Sequence, residues 1–126
     1  MNYLDYAATT PVNPEVLEVI TKEMASFGNP SSVYRIGREQ KQKIERVRKA
    51  ILKELQASPH DAIIFTSSGS EGNNLVFESI REHFAKEKGH IIVSAVEHPS
   101  VRKPAEFLEQ EGFDVTYLAP NKDGIV

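Results

Sequence analysis

The chain has 126 residues, no cysteine and a formal net charge of −3, from 18 acidic and 15 basic side chains. Its length suits one domain, and 26% charged with 40% hydrophobic residues argues against disordered and fibrous classes. The charge balance gives no electrostatic drive toward nucleic acid or anionic lipid, and without cysteine these residues hold no disulfide, Cys-based zinc site or thiol nucleophile.

In chain order, residues 1–10 carry neither the basic nor the apolar region of a signal peptide. No apolar run approaches the roughly 20 residues of a membrane span. The expected setting is the cytoplasm, with neither nucleic acid nor membrane as partner. Residues 3–11 (YLDYAATTP) lack helical periodicity, which places an N-terminal arm at residues 1–13. Asn13-Pro14-Glu15 reads as a helix start: Asn caps, Pro suits the first position, and Glu complements the dipole. Leu17, Ile20 and Met24 form one apolar stripe, and Gly28 ends that helix.

Residues 28–32 (GNPSS) form a loop by composition. A long amphipathic helix follows, carrying Ile36, Ile44, Val47, Ile51 and Leu55 and stopped by Ser58-Pro59. Its basic stretch from Arg35 to Lys53 is interrupted by Glu39 and Glu45 and followed by Glu54, and reads as a solvated face. The period then changes. Ala62–Phe65 is a short strand-like run, and a helix is predicted from about Ser70 to Lys88. Ile91–Val93 is a second strand, Pro99–Gln110 a helix with Val101, Phe107 and Leu108 on one side, and Val115–Leu118 a third strand.

This order predicts an α/β fold, βαβαβ with parallel strands, preceded by the arm and two helices. The final residues 121–126 read as a turn and the start of another apolar element. Three strands with few helices also leave edges and faces bare. The expectation is a domain over residues 14–126 that the chain leaves incomplete.

Two places can carry chemistry. Residues 65–74 (FTSSGSEGNN) follow a predicted strand and open a helix. Unpaired N–H groups, the helix dipole and the hydroxyls of Ser67, Ser68 and Ser70 make a phosphate grip there. The segment matches neither the Walker loop nor the dinucleotide fingerprint, and an ordinary Ser-rich cap with Glu71 in the first turn is the other reading. His98 lies on the same carboxyl-end rim of the sheet, where open parallel sheets bind ligands. It can stack on an aromatic ligand or shuttle protons, or merely cap the helix beginning at Pro99. His60, His83 and His90 have no ligand-type spacing, so no metal site is expected.

Together these segments resemble the cysteine desulfurases of the NifS/IscS type, in the class V aminotransferase group. Residues 3–11 resemble the family's opening arm, and residues 27–32 with Gly37-Arg38 its following loop. Phe65-Thr66-Ser67 with Glu71 and Asn73-Asn74 resembles its phosphate turn, and Glu97-His98-Pro99-Ser100 its ring-stacking histidine motif. In two places the chain departs from the family pattern. The glycine of the turn falls one place later, at Gly69, with Ser70 where the family has Thr, and Tyr34 stands where the family often has His.

The resemblance implies the large domain of a type I pyridoxal 5′-phosphate (PLP) enzyme. Gly69 and Ser70 would hold the cofactor's phosphate, and His98 would lie over its ring and serve catalysis. It implies L-cysteine as substrate, with alanine and an enzyme persulfide as products, the sulfur going to iron–sulfur clusters and other thio-cofactors. In the family the cofactor-binding lysine, the aspartate facing the pyridine nitrogen, the substrate arginine and the catalytic cysteine all lie beyond the position of Val126. The chain alone is therefore expected to be inactive, working as a homodimer or with a complementary C-terminal chain. The alternatives are a non-catalytic PLP- or phosphate-binding module, a self-associating remnant, and part of a class V aminotransferase with another substrate.

Overall fold

A computed structural model describes every residue except Met1 and Pro59. The elements are α1 (Pro14–Met24), α2 (Arg35–Glu54), α3 (Gly69–His83), β1 (His90–Ser94), α4 (Pro99–Gln110) and β2 (Asp114–Leu118). They fall into two compact units, residues 1–63 and 64–126.

In the first unit, Asn13 caps α1 by accepting the Glu15 amide at 2.9 Å, with Pro14 at the first position. The stripe of Leu17, Ile20 and Met24 forms on this helix but stays exposed. Polar side chains tie α2 to the end of α1. Lys43 Nζ lies 2.6 Å from Glu23 Oε2 and 3.1 Å from Ser26 Oγ, to which Gln40 Nε2 also donates at 3.0 Å. The ammonium of Lys43 holds the Glu23 carboxyl below its ordinary pKa, chiefly through the hydrogen bond. Among the described residues of this unit only Gly37 is buried. Gly28, at φ +150°, occupies backbone space that an L side chain rarely enters. Helix α2 ends at Glu54, with Leu55 as cap and Gln56 at φ 51°. The expected stop at Pro59 lies outside the described residues.

The second unit contains a hydrophobic core. Phe77 of α3, Val93 of β1, Ala105 and Leu108 of α4, and Phe113 are buried, flanked by Ile80, Ile91, Val101, Val115 and Tyr117. Strands β1 and β2 pair in parallel, from His90 opposite Asp114 to Ser94 opposite Leu118. Helix α4 is the crossover between them, since parallel neighbours cannot be joined by a tight turn. Burying a side chain such as Leu108 contributes about 1.5–3 kcal/mol.

The mixed α/β class with parallel strands is as the sequence implied, with three differences of detail. Residues 61–66 form no strand among the described residues, because a strand exists only through a laddered neighbour, and β1 pairs with β2 instead. Helix α3 ends at His83 rather than near Lys88, with Phe84 as cap. Phe107 points away from the core, 47% exposed, while Leu108 beside it is 1% exposed. Pro104 lies inside α4, where it removes one backbone bond to Ser100.

Candidate functional site

Both segments singled out in the sequence lie at helix starts. Ser68 caps α3, its Oγ accepting the Glu71 amide at 3.2 Å. Glu71 reaches back to Ser67, accepting its amide at 2.5 Å and its hydroxyl at 2.6 Å, a capping box displaced by one residue. These bonds favour the ionised carboxylate and hold Glu71 below its ordinary pKa, the Ser67 hydroxyl contributing most and the Ser67 amide next. Thr66 Oγ1 donates to the Ser68 carbonyl at 3.0 Å, and Asn74 Nδ2 to the Ser70 carbonyl at 2.8 Å.

This local network fixes the turn and leaves donors at the start of α3 free. Among the described residues, the Gly69 and Ser70 amides and the Ser70 hydroxyl donate to no group of the chain. A Cβ added at Gly69 would meet no heavy atom within 4 Å, so the approach to these amides is open. They lie at the positive end of α3, the part of a helix suited to hold an anion.

His98 caps α4, its Nδ1 accepting the Ser100 amide at 3.1 Å. Ser100 Oγ lies 2.8 Å from the same nitrogen, and Asn73 Nδ2 of α3 donates to that Oγ at 2.9 Å. The capping role raised as an alternative is therefore real, but it uses Nδ1 only. Ser70, Asn74, His98, Ser100, Lys103 and Phe107 line one open cleft of about 440 Å³ between α3 and α4. The exposed Lys103 also pairs with Glu106 at 3.4 Å.

The remaining histidines stay apart from this cleft. His90 Nε2 lies 2.8 Å from Thr116 Oγ1 across the strand ladder, and the His83 ring stands edge-on to Phe84 at 4.7 Å. A hollow of about 550 Å³ against α2, walled by Arg38, Lys41, Gln42, Glu45, Arg46 and Lys49, belongs to one helix face and gathers none of the proposed ligand-binding residues. Sequence reasoning does not reach the Asn73–Ser100 bond or the position of Lys103. Its one available signal was that Asn73 lies one helical step before Phe77, on the side of α3 that turns toward α4.

A family model described as Aminotransferase class-V matches residues 2–126. A cysteine desulfurase IscS from Dictyoglomus turgidum is 45% identical over 125 residues, covering 98% of this chain and 32% of that protein. A mitochondrial cysteine desulfurase from Eremothecium gossypii is 40% identical over 126 residues, covering 98% and 26%. Among solved structures, SspA in complex with cysteine superposes with a TM-score of 0.85 at 41% identity, covering 96% of this chain and 35% of that one. A NifS-like protein superposes at 0.82 with 35% identity, covering 90% and 31%. The chain thus spans about a third of the length of the first of these relatives. Among the described residues no helix is long and apolar enough to cross a membrane.

Proposed function

The chain belongs to the class-V aminotransferase family, and from that membership we propose that it forms the phosphate-seating part of a PLP-dependent cysteine desulfurase. Such an enzyme takes sulfur from L-cysteine as a bound persulfide, for iron–sulfur clusters and other thio-cofactors, and leaves L-alanine. The observation that carries the reading is the set of free donors at the start of α3, where Ser70 lines a cleft that His98 also lines. Relatives named cysteine desulfurases at 40–45% identity support the reaction class.

The residues present fit the cofactor's phosphate. Two amides and the Ser70 hydroxyl offer three donors, the α3 dipole favours the dianion, and no side chain at Gly69 obstructs it. When bound, PLP supplies an electron sink for the substrate's Cα. Gly69 and Ser70 grip and orient, and His98 presents Nε2, which can hold or move a proton.

In this reading residues 14–126 are part of a larger PLP-binding domain and residues 1–13 are its arm. The cofactor-binding lysine and the persulfide cysteine lie outside the matched third, on the same or a complementary chain, and the working form is a dimer. The apolar patch of Ile64, Leu75, Val76 and Phe84, all exposed, supports such coverage.

The test is a titration of the chain with pyridoxamine 5′-phosphate, which cannot form Schiff bases with surface lysines, followed by amide NMR. Saturable shifts are expected at Gly69 and Ser70 and their loss in the Gly69→Asp/Ser70→Ala double variant. Unmoved Gly69 and Ser70 amides in the natural chain would overturn the reading.

A further inference from the structure

The cleft histidine is held by a hydrogen-bond chain that begins on another helix. Asn73 Nδ2 of α3 donates to Ser100 Oγ at 2.9 Å, and Ser100 Oγ lies 2.8 Å from His98 Nδ1. The Ser100 amide points at the same nitrogen, 3.1 Å away. An amide N–H can only donate, so Nδ1 is an acceptor and carries no proton. Ser100 Oγ accepts a hydrogen bond from Asn73, whose NH₂ group is likewise donor-only, and its own O–H is left to turn toward Nδ1. Both contacts therefore select the same form of the ring.

We infer that Asn73 and Ser100 are positioning residues that hold His98 as the neutral tautomer with its proton on Nε2. The imidazole of a free histidine exchanges between two tautomers and rotates about χ2. Here one tautomer has two donors on Nδ1, and the other would set an N–H against the Ser100 N–H. The chain also couples the two helix starts: Asn73 lies one turn into α3, the helix whose first amides seat the phosphate, and Ser100 lies in the first turn of α4. Asn73 and Ser100 are half-buried and His98 is exposed, so the network presents Nε2–H to the open side of the cleft. That site has a defined donor, whereas an unrestrained histidine would offer a donor in only part of the population.

The inference rests on the proposed role of this cleft, but it is tested without cofactor, so the two readings fail separately. Long-range ¹H–¹⁵N spectra of the imidazole groups, recorded on the alkaline side of histidine's titration, report which nitrogen bears the proton. In the natural chain His98 is expected to give one tautomer, with Nδ1 in the unprotonated range and Nε2 in the protonated range. Asn73→Ala and Ser100→Ala weaken or remove the side-chain donor and leave the Ser100 amide, so both signals are expected to move part of the way toward the averaged positions of an exchanging ring. Ser100→Thr, which keeps the hydroxyl, is expected to restore the single form. Circular dichroism checks that α3 and α4 remain folded in each variant. Averaged signals in the natural chain, or signals that neither alanine change moves, would overturn the inference whatever the phosphate titration gives.

Discussion

Gly37 and Ser32 leave no room for a methyl group between them. A Cβ on Gly37 would lie 2.1 Å from Ser32 Oγ and 2.3 Å from the Asn29 carbonyl oxygen. The loop of residues 28–32 is thereby seated directly against the first turn of α2. Ser32 N donates to the Asn29 carbonyl at 3.0 Å and Ser31 N to Asn29 Oδ1 at 2.9 Å, so the loop is itself tied and cannot recede freely.

Gly37→Ala sets two effects against each other. Alanine gains about 1 kcal/mol in helix propensity, while overpacking costs about 1–3 kcal/mol. With a backbone oxygen as one of the clashing atoms, the second wins. Urea unfolding followed by helical circular dichroism is expected to show net destabilisation, and a higher midpoint would contradict the packing described.

Neighbouring residues on α4 should respond oppositely to truncation. Leu108→Ala opens a cavity in the core of the second unit and is expected to cost about 2–5 kcal/mol. Phe107→Ala, at an exposed position, should stay within about 0.5 kcal/mol. Paired denaturation curves of the two variants decide this, and equal losses would mean that the helix faces are misassigned.

Removing the cap of α3 gives a graded outcome. Ser68→Ala loses the acceptor for the Glu71 amide and is expected to cost about 1 kcal/mol, Ser68→Gly only a few tenths. Thermal melts of both variants rank them, and a Gly variant weaker than Ala would contradict the capping role.

Acid should weaken the same turn through Glu71. Its folded pKa is depressed by the Ser67 hydroxyl and amide. The stabilisation is therefore complete above the ordinary carboxylate pKa and disappears as pH falls through the depressed value. Between about pH 7 and about pH 3, the natural chain should lose more stability than Glu71→Gln. Parallel pH dependences would mean that the carboxylate does not hold the turn.

Legibility in the sequence followed the locality of the physics. Helices α1 and α4 start where Asn13-Pro14 and His98-Pro99 indicate, because a cap and a proline act within one turn. The cap of α3 is legible for the same reason, as Ser68 and Glu71 act within one turn of each other. Ala62–Phe65 misled because its β-branched composition describes a buried strand but not the neighbour that would make it one. Phe107 misled because hydrophobicity does not reveal which of two adjacent apolar residues turns inward. The Asn73–Ser100 bond joins residues 27 positions apart, and no spacing rule covers a contact made by the packing of two helices.

The parallel register carries a consequence for how the second unit comes apart. Each rung between β1 and β2 joins residues from opposite sides of α4, so the strands are held together only while that helix lies against them. Loss of α4 from its seat at Ala105 and Leu108 opens a long flexible loop, and the rungs alone cannot offset the entropy released. The ladder and the helix should therefore lose hydrogen-exchange protection together, as one cooperative unit rather than as an edge that frays.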